Sequence, residues 1–416
     1  MKKAIIVGGS IAGIACAHAL TTAGWQVVVI EKSNGPTTGS PTGAGLGLDA
    51  LSCKIISSWL GGLGPLQRAT LPLSIDQNQM TMTQTKTTRT ITRDEEFNFR
   101  AAHWADLHGL LLNSLNPQIF MWAHEFLSLC ISDDKNSVTV NAKSLQTGEI
   151  IHVIGDLLVA ADGCLSSIRR RIFLSGHMLR YSGYCAWRGV FDFSGDEDLE
   201  TIKGIRKVYP DIGKCLYFDL APNTHCVLYE LLNKRMNWIW YINQPEPQTK
   251  GNSVTMKVSK EMIEKMQDDA ERFFVPELVA LIKVTEEPFL NVMYDSEPLD
   301  KIVFDNVVLV GDAAHPTTPH CLRSTNMSIL DAAVLGKCLK KWGQNDLQSA
   351  LSEYQSTRLP VVSKQVLHSR RVGRIKQGLG LPDRESFDPT TANSEDWCEI
   401  QQKNVPFFFH IPECML

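Results

Sequence analysis

Four short runs in the chain are apolar at every position: AIIV from Ala4, VVVI from Val27, LLVA from Leu157 and VVLV from Val307. A glycine or an acid follows each one closely. A strand with no polar face is buried on both sides, so these runs predict a parallel sheet covered by other layers. Between the first two, GGSIAG opens an Ala-rich stretch that closes at Gly24, a residue suited to the left-handed position after a helix. Residues 4–31 therefore read as one βαβ unit.

Elsewhere the pattern changes. MTMTQTKTTRTIT, from Met80 to Thr92, alternates with period two and predicts a half-buried antiparallel strand. Residues 98–115 read as helix, and 120–129, 137–142 and 149–154 as strands of a meander. From 181 to about 288, aromatic patterns such as YSGYCAWRGVFDF and NWIWYI predict a mostly antiparallel sheet. One helix is expected from near Thr325 to Gly343 and a last one from about Leu347 to Lys376, with the tail VPFFFHIP packed on its own protein. The expected fold is α/β: a Rossmann-like parallel-sheet domain with a β-meander (1–75, 98–180 and 289–345). It is interleaved with a mostly antiparallel domain (76–97 and 181–288) and followed by a long C-terminal helix and tail (346–416).

Composition narrows the partners. With 44% hydrophobic and 21% charged residues the chain is globular, and a net charge of -4 gives no reason to expect nucleic acid or an anionic membrane. The 11 cysteines are odd in number and scattered, with no CxxC pair, which points to reduced thiols and no metal site. The first strand begins too early to leave room for a secretory leader, and no apolar run approaches spanning length, so a cytoplasmic protein is expected. The expected partner is a small-molecule substrate, the chain acting as a monomer or homodimer.

The chemistry-bearing residues stand at the strand ends. Gly8-x-Ser10-x-x-Gly13 lies between strand and helix, with Glu31 ending the next strand. Such a turn lets backbone amides and a helix N-terminus approach a pyrophosphate, while the acid accepts from a ribose diol. Asp162-Gly163 and Gly311-Asp312 end two later strands; each alone could be an Asx turn, but three in this order are far more specific.

On these motifs the sequence resembles the FAD-dependent aromatic hydroxylases, the single-component flavoprotein monooxygenases related to para-hydroxybenzoate, salicylate and urate hydroxylases and zeaxanthin epoxidase. GGSIAG with Glu31, GAGLGL from Gly43, DG at Asp162, YSGYCAWRG from Tyr181, GDAAHP at Gly311, TN at Thr325 and YQSTRLP from Tyr354 carry the likeness, which is strongest to plant-type members. It implies an oxidoreductase with FAD contacts at Gly8, Ser10, Ile11, Ala12, Gly13, Glu31, Lys32, Gly43, Ala44, Gly45, Arg100 and Phe126. Further contacts are implied at Asp162, Gly163, Gly311, Asp312, Ala313, Pro319, Thr325 and Asn326. Asp312 would serve the ribityl chain and Asp162 the pyrophosphate and a visiting nicotinamide, while the helix near Thr325 would face the pyrimidine edge. Pro316 and the Thr317-Thr318-Pro319 turn would lie against the flavin face.

The activity implied is hydroxylation of a small aromatic or heteroaromatic compound: NAD(P)H reduces FAD, and dioxygen forms a C4a-hydroperoxide that attacks an electron-rich carbon. Epoxidation or oxidative rearrangement of an isoprenoid or alkaloid uses the same chemistry. Two departures leave room for a flavin-binding protein with lost or altered hydroxylation. Leu322, Arg323 and Ser324 replace the family's Gly-Gln-Gly, and Trp104 stands where the family has an arginine that Arg100 or Arg323 would replace. Candidate catalytic residues are His320 as base, His315, Pro316 and Arg188, the last either clamping a carboxylate or pairing with Asp192. For the aromatics Trp187, Tyr217, Tyr229, Trp238 and Trp240, packing between sheet and helix is the first reading and a place in the pocket the alternative.

Overall fold

The computed structural model describes residues 1–36, 44–82, 84–172, 179–248, 253–343 and 345–404. The four apolar runs do pair with one another. A six-stranded sheet runs in the order Val303–Phe304, Val307–Leu309, Leu157–Ala160, Lys3–Val7, Gln26–Ile30, Phe120–Met121, parallel except at the Val303–Phe304 edge. The helices Ile11–Thr22 and Ser324–Trp342 pack on each other in this layer. A meander of His124–Ile131, Val138–Ser144 and Ile150–Gly155 contributes Val138, Val140, Ala142 and Val153 to the same core.

The second large sheet has eight strands, in the order Thr255–Met256, Phe289–Ser296, Leu179–Asp192, Arg235–Asn243, Thr224–Leu231, Cys215–Ala221, Ile75–Met82, Thr87–Asp94. All its neighbours are antiparallel except Cys215–Ala221 with Ile75–Met82. The helices Glu200–Val208, Lys260–Phe273 and Pro276–Val284 supply core residues to one face. The other face carries a separate core that includes Phe387, Trp397 and Ile400 from the C-terminal segment. The helix Leu347–Lys376 spans 30 residues, as the sequence predicts, and a short helix, Ser394–Glu399, follows it. No helix among the described residues is long and apolar enough to cross a membrane.

Two expectations are corrected. Met80–Thr92 is not one strand but the turn of a hairpin, in which Thr81 pairs with Thr88 and Met82 with Thr87. The helix expected over 98–115 begins only at Trp104; Phe99–His103 is a strand held between Gly45–Asp49 and Thr70–Leu73. Hydrogen bonds to two neighbours satisfy that segment's backbone, which overrides the helical preference of its alanines. The tail from 405 onward lies outside the described residues.

Candidate active site

Each parallel strand leaves its turn at the same sheet edge, so the four strand-end motifs lie side by side. The contacts are close: a Cβ at Gly8 would lie 2.3 Å from Ala161 O, and one at Gly13 only 1.8 Å from Gly8 O. Glycine is required there by the approach of backbone to backbone. Gly311 abuts the first helix through Ala12, where a Cβ would come within 2.9 Å. Arg169, buried, donates to the carbonyls of Cys164, Asp312 and Ala313 and thereby ties the second and third turns together. Glu31, Asp162 and Asp312 thus converge from distant parts of the chain.

Their side chains are already partly engaged. Glu31 accepts from Gly9 N at 2.6 Å and Ser33 N at 2.8 Å. Asp162 accepts from Ser166 Oγ, Ser167 N and Ile168 N, capping the short helix that follows. Asp312 accepts from Ser324 Oγ at 2.8 Å, and burial pushes its carboxyl upward. Two long helices begin with no side-chain cap, Ile11–Thr22 after Ser10 and Ser324–Trp342 after Arg323. Their N–H groups and positive dipole ends are open to an anionic ligand, which fits a dinucleotide whose pyrophosphate meets the first helix and whose flavin meets the second.

Beyond these turns lies a cavity of about 420 Å³, closed on the far side by the eight-stranded sheet. Ala44, Gly45, Asp312, Pro319 and Thr325 reach it from the cofactor side; Arg188, Phe218, Tyr229 and Tyr241 reach it from the sheet. Successive side chains on a strand point to opposite faces, and this parity divides the candidate aromatics. Trp187, Tyr217, Trp238 and Trp240 belong to the core under the helices, where Trp238 donates to Thr285 Oγ1 and Trp240 to Thr224 Oγ1. Packing, the first reading of all five from the sequence, holds for these four; Tyr229 alone of the five lines the cavity.

Other candidates are also redirected. His315 is buried with Nε2 2.6 Å from Asp331, which also pairs with Arg358, so the imidazole belongs to an ion cluster under the Gly311 turn and not to the cavity. Pro316 is buried and outside the lining. Asn326 donates to Gly47 O and Leu322 O and accepts from Asp49 N, fastening the turn instead of lining the cavity. Arg100 is turned to Thr70, to which it donates twice. Phe126 packs into the meander core and Lys32 is exposed on the surface. Gly43 lies outside the described residues.

His320 and Arg188 do line the cavity. His320 Nδ1 lies 3.2 Å from Tyr184 Oη, Nε2 has no partner, and burial, with Lys376 and Arg188 nearby, drives the imidazole well below its ordinary value. Arg188 is not paired with Asp192, whose carboxylate accepts from Ser194 N. Arg323 lies beside Asp49 at 3.4 Å and over the Phe99 ring. Trp104 stacks on His108, whose Nε2 is 2.8 Å from Gly9 O, so an aromatic pair occupies the ground beside the first turn. Leu322, where the resemblance implies a glycine, holds φ of 56°, and Cys321 before it holds 72°. Lining residues unforeseen from the sequence include His225, Phe218, Tyr241 and Lys376; the parity of Arg188 against Trp187 was the signal for the first three.

This architecture defines a flavin-type dinucleotide-binding fold with a second sheet roofing the cofactor groove. The chain belongs to the FAD binding domain family, whose model matches residues 1–188 and 255–369. It is 26% identical over 396 residues to 3-hydroxybenzoate 6-hydroxylase of Polaromonas naphthalenivorans, covering 91% of this chain and 88% of that one. Among solved structures it is similar to 2,6-dihydroxypyridine-3-hydroxylase from Arthrobacter nicotinovorans, with a TM-score of 0.75 at 21% identity over 93% of this chain and 96% of that one. It is also similar to Klebsiella pneumoniae HpxO complexed with FAD and uric acid, with a TM-score of 0.73 at 21% identity over 91% and 89%.

Proposed function

We propose that this protein is an FAD-dependent monooxygenase that uses NAD(P)H and dioxygen to hydroxylate a small aromatic or heteroaromatic compound. The observation that carries the reading is the shared cavity: the uncapped helix at Ser324 and the carboxylate of Asp312 open into the same space as Arg188, Tyr229 and Tyr241. We assign the six-stranded sheet and its layers to the cofactor and the eight-stranded sheet to the substrate. Gly8, Ser10, Gly13 and Glu31 would hold the adenosine and pyrophosphate, and Asp312 and Thr325 the flavin end. When bound, FAD supplies the redox chemistry, taking hydride from NAD(P)H and activating dioxygen.

The chain's own part is positioning, proton handling and exclusion of water. Phe218, Val227, Ile239 and Tyr241 give the pocket apolar walls for a planar ring and keep bulk water out. His320 stays a neutral imidazole across neutral pH. With Nδ1 beside Tyr184, Nε2 is the atom left to exchange a proton with a ring hydroxyl. Ionising that hydroxyl enriches the ring for attack by an electrophilic oxygen. Purified protein should be yellow, should oxidise NAD(P)H faster with an aromatic substrate, and should place one atom of labelled dioxygen in the product. Protein that cannot be loaded with FAD would overturn the reading.

A second reading, a flavoprotein that binds ligand with altered turnover, is favoured by one observation: the Leu322 side chain lies against Gly47, where a Cβ would be 3.3 Å away. Stopped-flow mixing with NADPH separates the two. Flavin reduction with any aromatic ligand present supports the monooxygenase, and no reduction supports the alternative.

A further inference from the structure

The end of the cavity nearest the C-terminal helix is basic. Arg188 enters it from the strand Leu179–Asp192, and Lys376 from the last turn of the helix Leu347–Lys376. Lys376 is 2% exposed, its ammonium lies 3.5 Å above the Phe218 ring, and among the described residues neither cation forms an ion pair with a carboxylate. His225 and His320 line the same end, both buried, each with Nε2 unpartnered. The sole carboxylate among the described lining residues is Asp312, which belongs to the cofactor side. A buried ammonium with an aromatic face beside it and the charge of Asp76 near it, but no ion pair, is costly unless a ligand completes its shell.

We propose that Lys376 is a specificity-determining residue that, opposite Arg188, recognises an acidic group on the substrate, a carboxylate or an ionised ring hydroxyl. This rests on the monooxygenase reading and names its substrate class as an aromatic anion. The groups that face Lys376 are Asp76 from Ile75–Met82, Phe218 from Cys215–Ala221, His225 from Thr224–Leu231, and His320 and Cys321 from the turn. Burial lowers the ammonium to about 8, while the charge of Asp76 opposes the fall. The anion is held by the protonated form, so its affinity is full below that value and declines as pH rises through it.

The test uses FAD-loaded protein and calorimetry, with benzoate, 3-hydroxybenzoate and nicotinate each compared with its amide. In the unaltered protein at least one acid should bind about tenfold or more tightly than its amide, the scale of a charged hydrogen bond. K376M should abolish that preference, and K376R should retain it while removing the decline above pH 8. Because K376M strands Asp76 in the interior, D76N/K376M provides a variant without either buried charge; it too should lack the preference. If no acid outbinds its amide, or if D76N/K376M keeps the preference, the proposal falls. Failure to take up FAD would instead overturn the monooxygenase reading, because calorimetry reads binding without turnover.

Discussion

Asp331 lies at the centre of a buried cluster, accepting from Gly311 N and facing both His315 and Arg358. Burial alone would raise its carboxyl, but His315 and Arg358 outweigh burial and hold it below the usual range. A folded-state value below the unfolded one contributes stability that is fully present above about pH 4 and is lost as pH falls through the depressed value. Denaturant titrations at stepped pH should show this decline. D331N, which leaves Arg358 buried without its partner, should cost about 3–5 kcal/mol at neutral pH. Leu322 makes a different case: the left-handed region costs a residue with a side chain about 1–2 kcal/mol. L322G removes both that strain and the contact with Gly47, so apoprotein should bind FAD more tightly in a fluorescence-quenching titration; weaker binding would show that the side chain supports the cofactor. His315 and Asn326 were misplaced because a histidine or asparagine in a motif reads the same whether it faces a ligand or fastens a turn. Trp238 and Trp240 could be given no face from the sequence, because both faces of their sheet are covered, so either parity is apolar and the strand does not encode which one meets the cavity.

At the scale of elements, the helix Leu347–Lys376 is pinned to the eight-stranded sheet by Gln377, the residue at its C-terminal end. Its Oε1 lies 2.8 Å from His225 Nδ1, its Nε2 donates to Asn243 Oδ1, and its carbonyl accepts from Asn243 Nδ2. Q377A should therefore cost about 1–3 kcal/mol, the range for stranding a buried polar partner, and should weaken an aromatic ligand more than FAD. Thermal shifts with each ligand would check it. This helix was legible end to end, because its apolar period runs through 30 residues between the Asp346 cap and Gly378 at φ 59°. The strand Phe99–His103 was not, because five residues rich in alanine carry too few alternations to outvote helix propensity. The hairpin at Met82 was hidden by a turn without glycine, proline or asparagine, in which Lys86 takes φ of 54°.

For the whole molecule, the cavity lies between the two large sheets and touches the C-terminal segment through Lys376 and Gln402. Ligand bound there stabilises the assembled state alone, so FAD at about 100 times its dissociation constant should add about 2.7 kcal/mol. The melting temperature should rise with FAD concentration, and a flat response would place the cofactor elsewhere. The local periodicity of the chain was enough to determine the parallel strands and the turns at their ends, because those features need only neighbours in sequence to be recognised, while FAD was implied by the resemblance that the motifs at those turns carry together. The far ends of the pocket were decided by tertiary structure. Which strand parity faces inward, which polar side chains find partners, and how a lysine near the end of the last long helix reaches a cavity roofed by strands 150 residues earlier depend on how the layers close over one another.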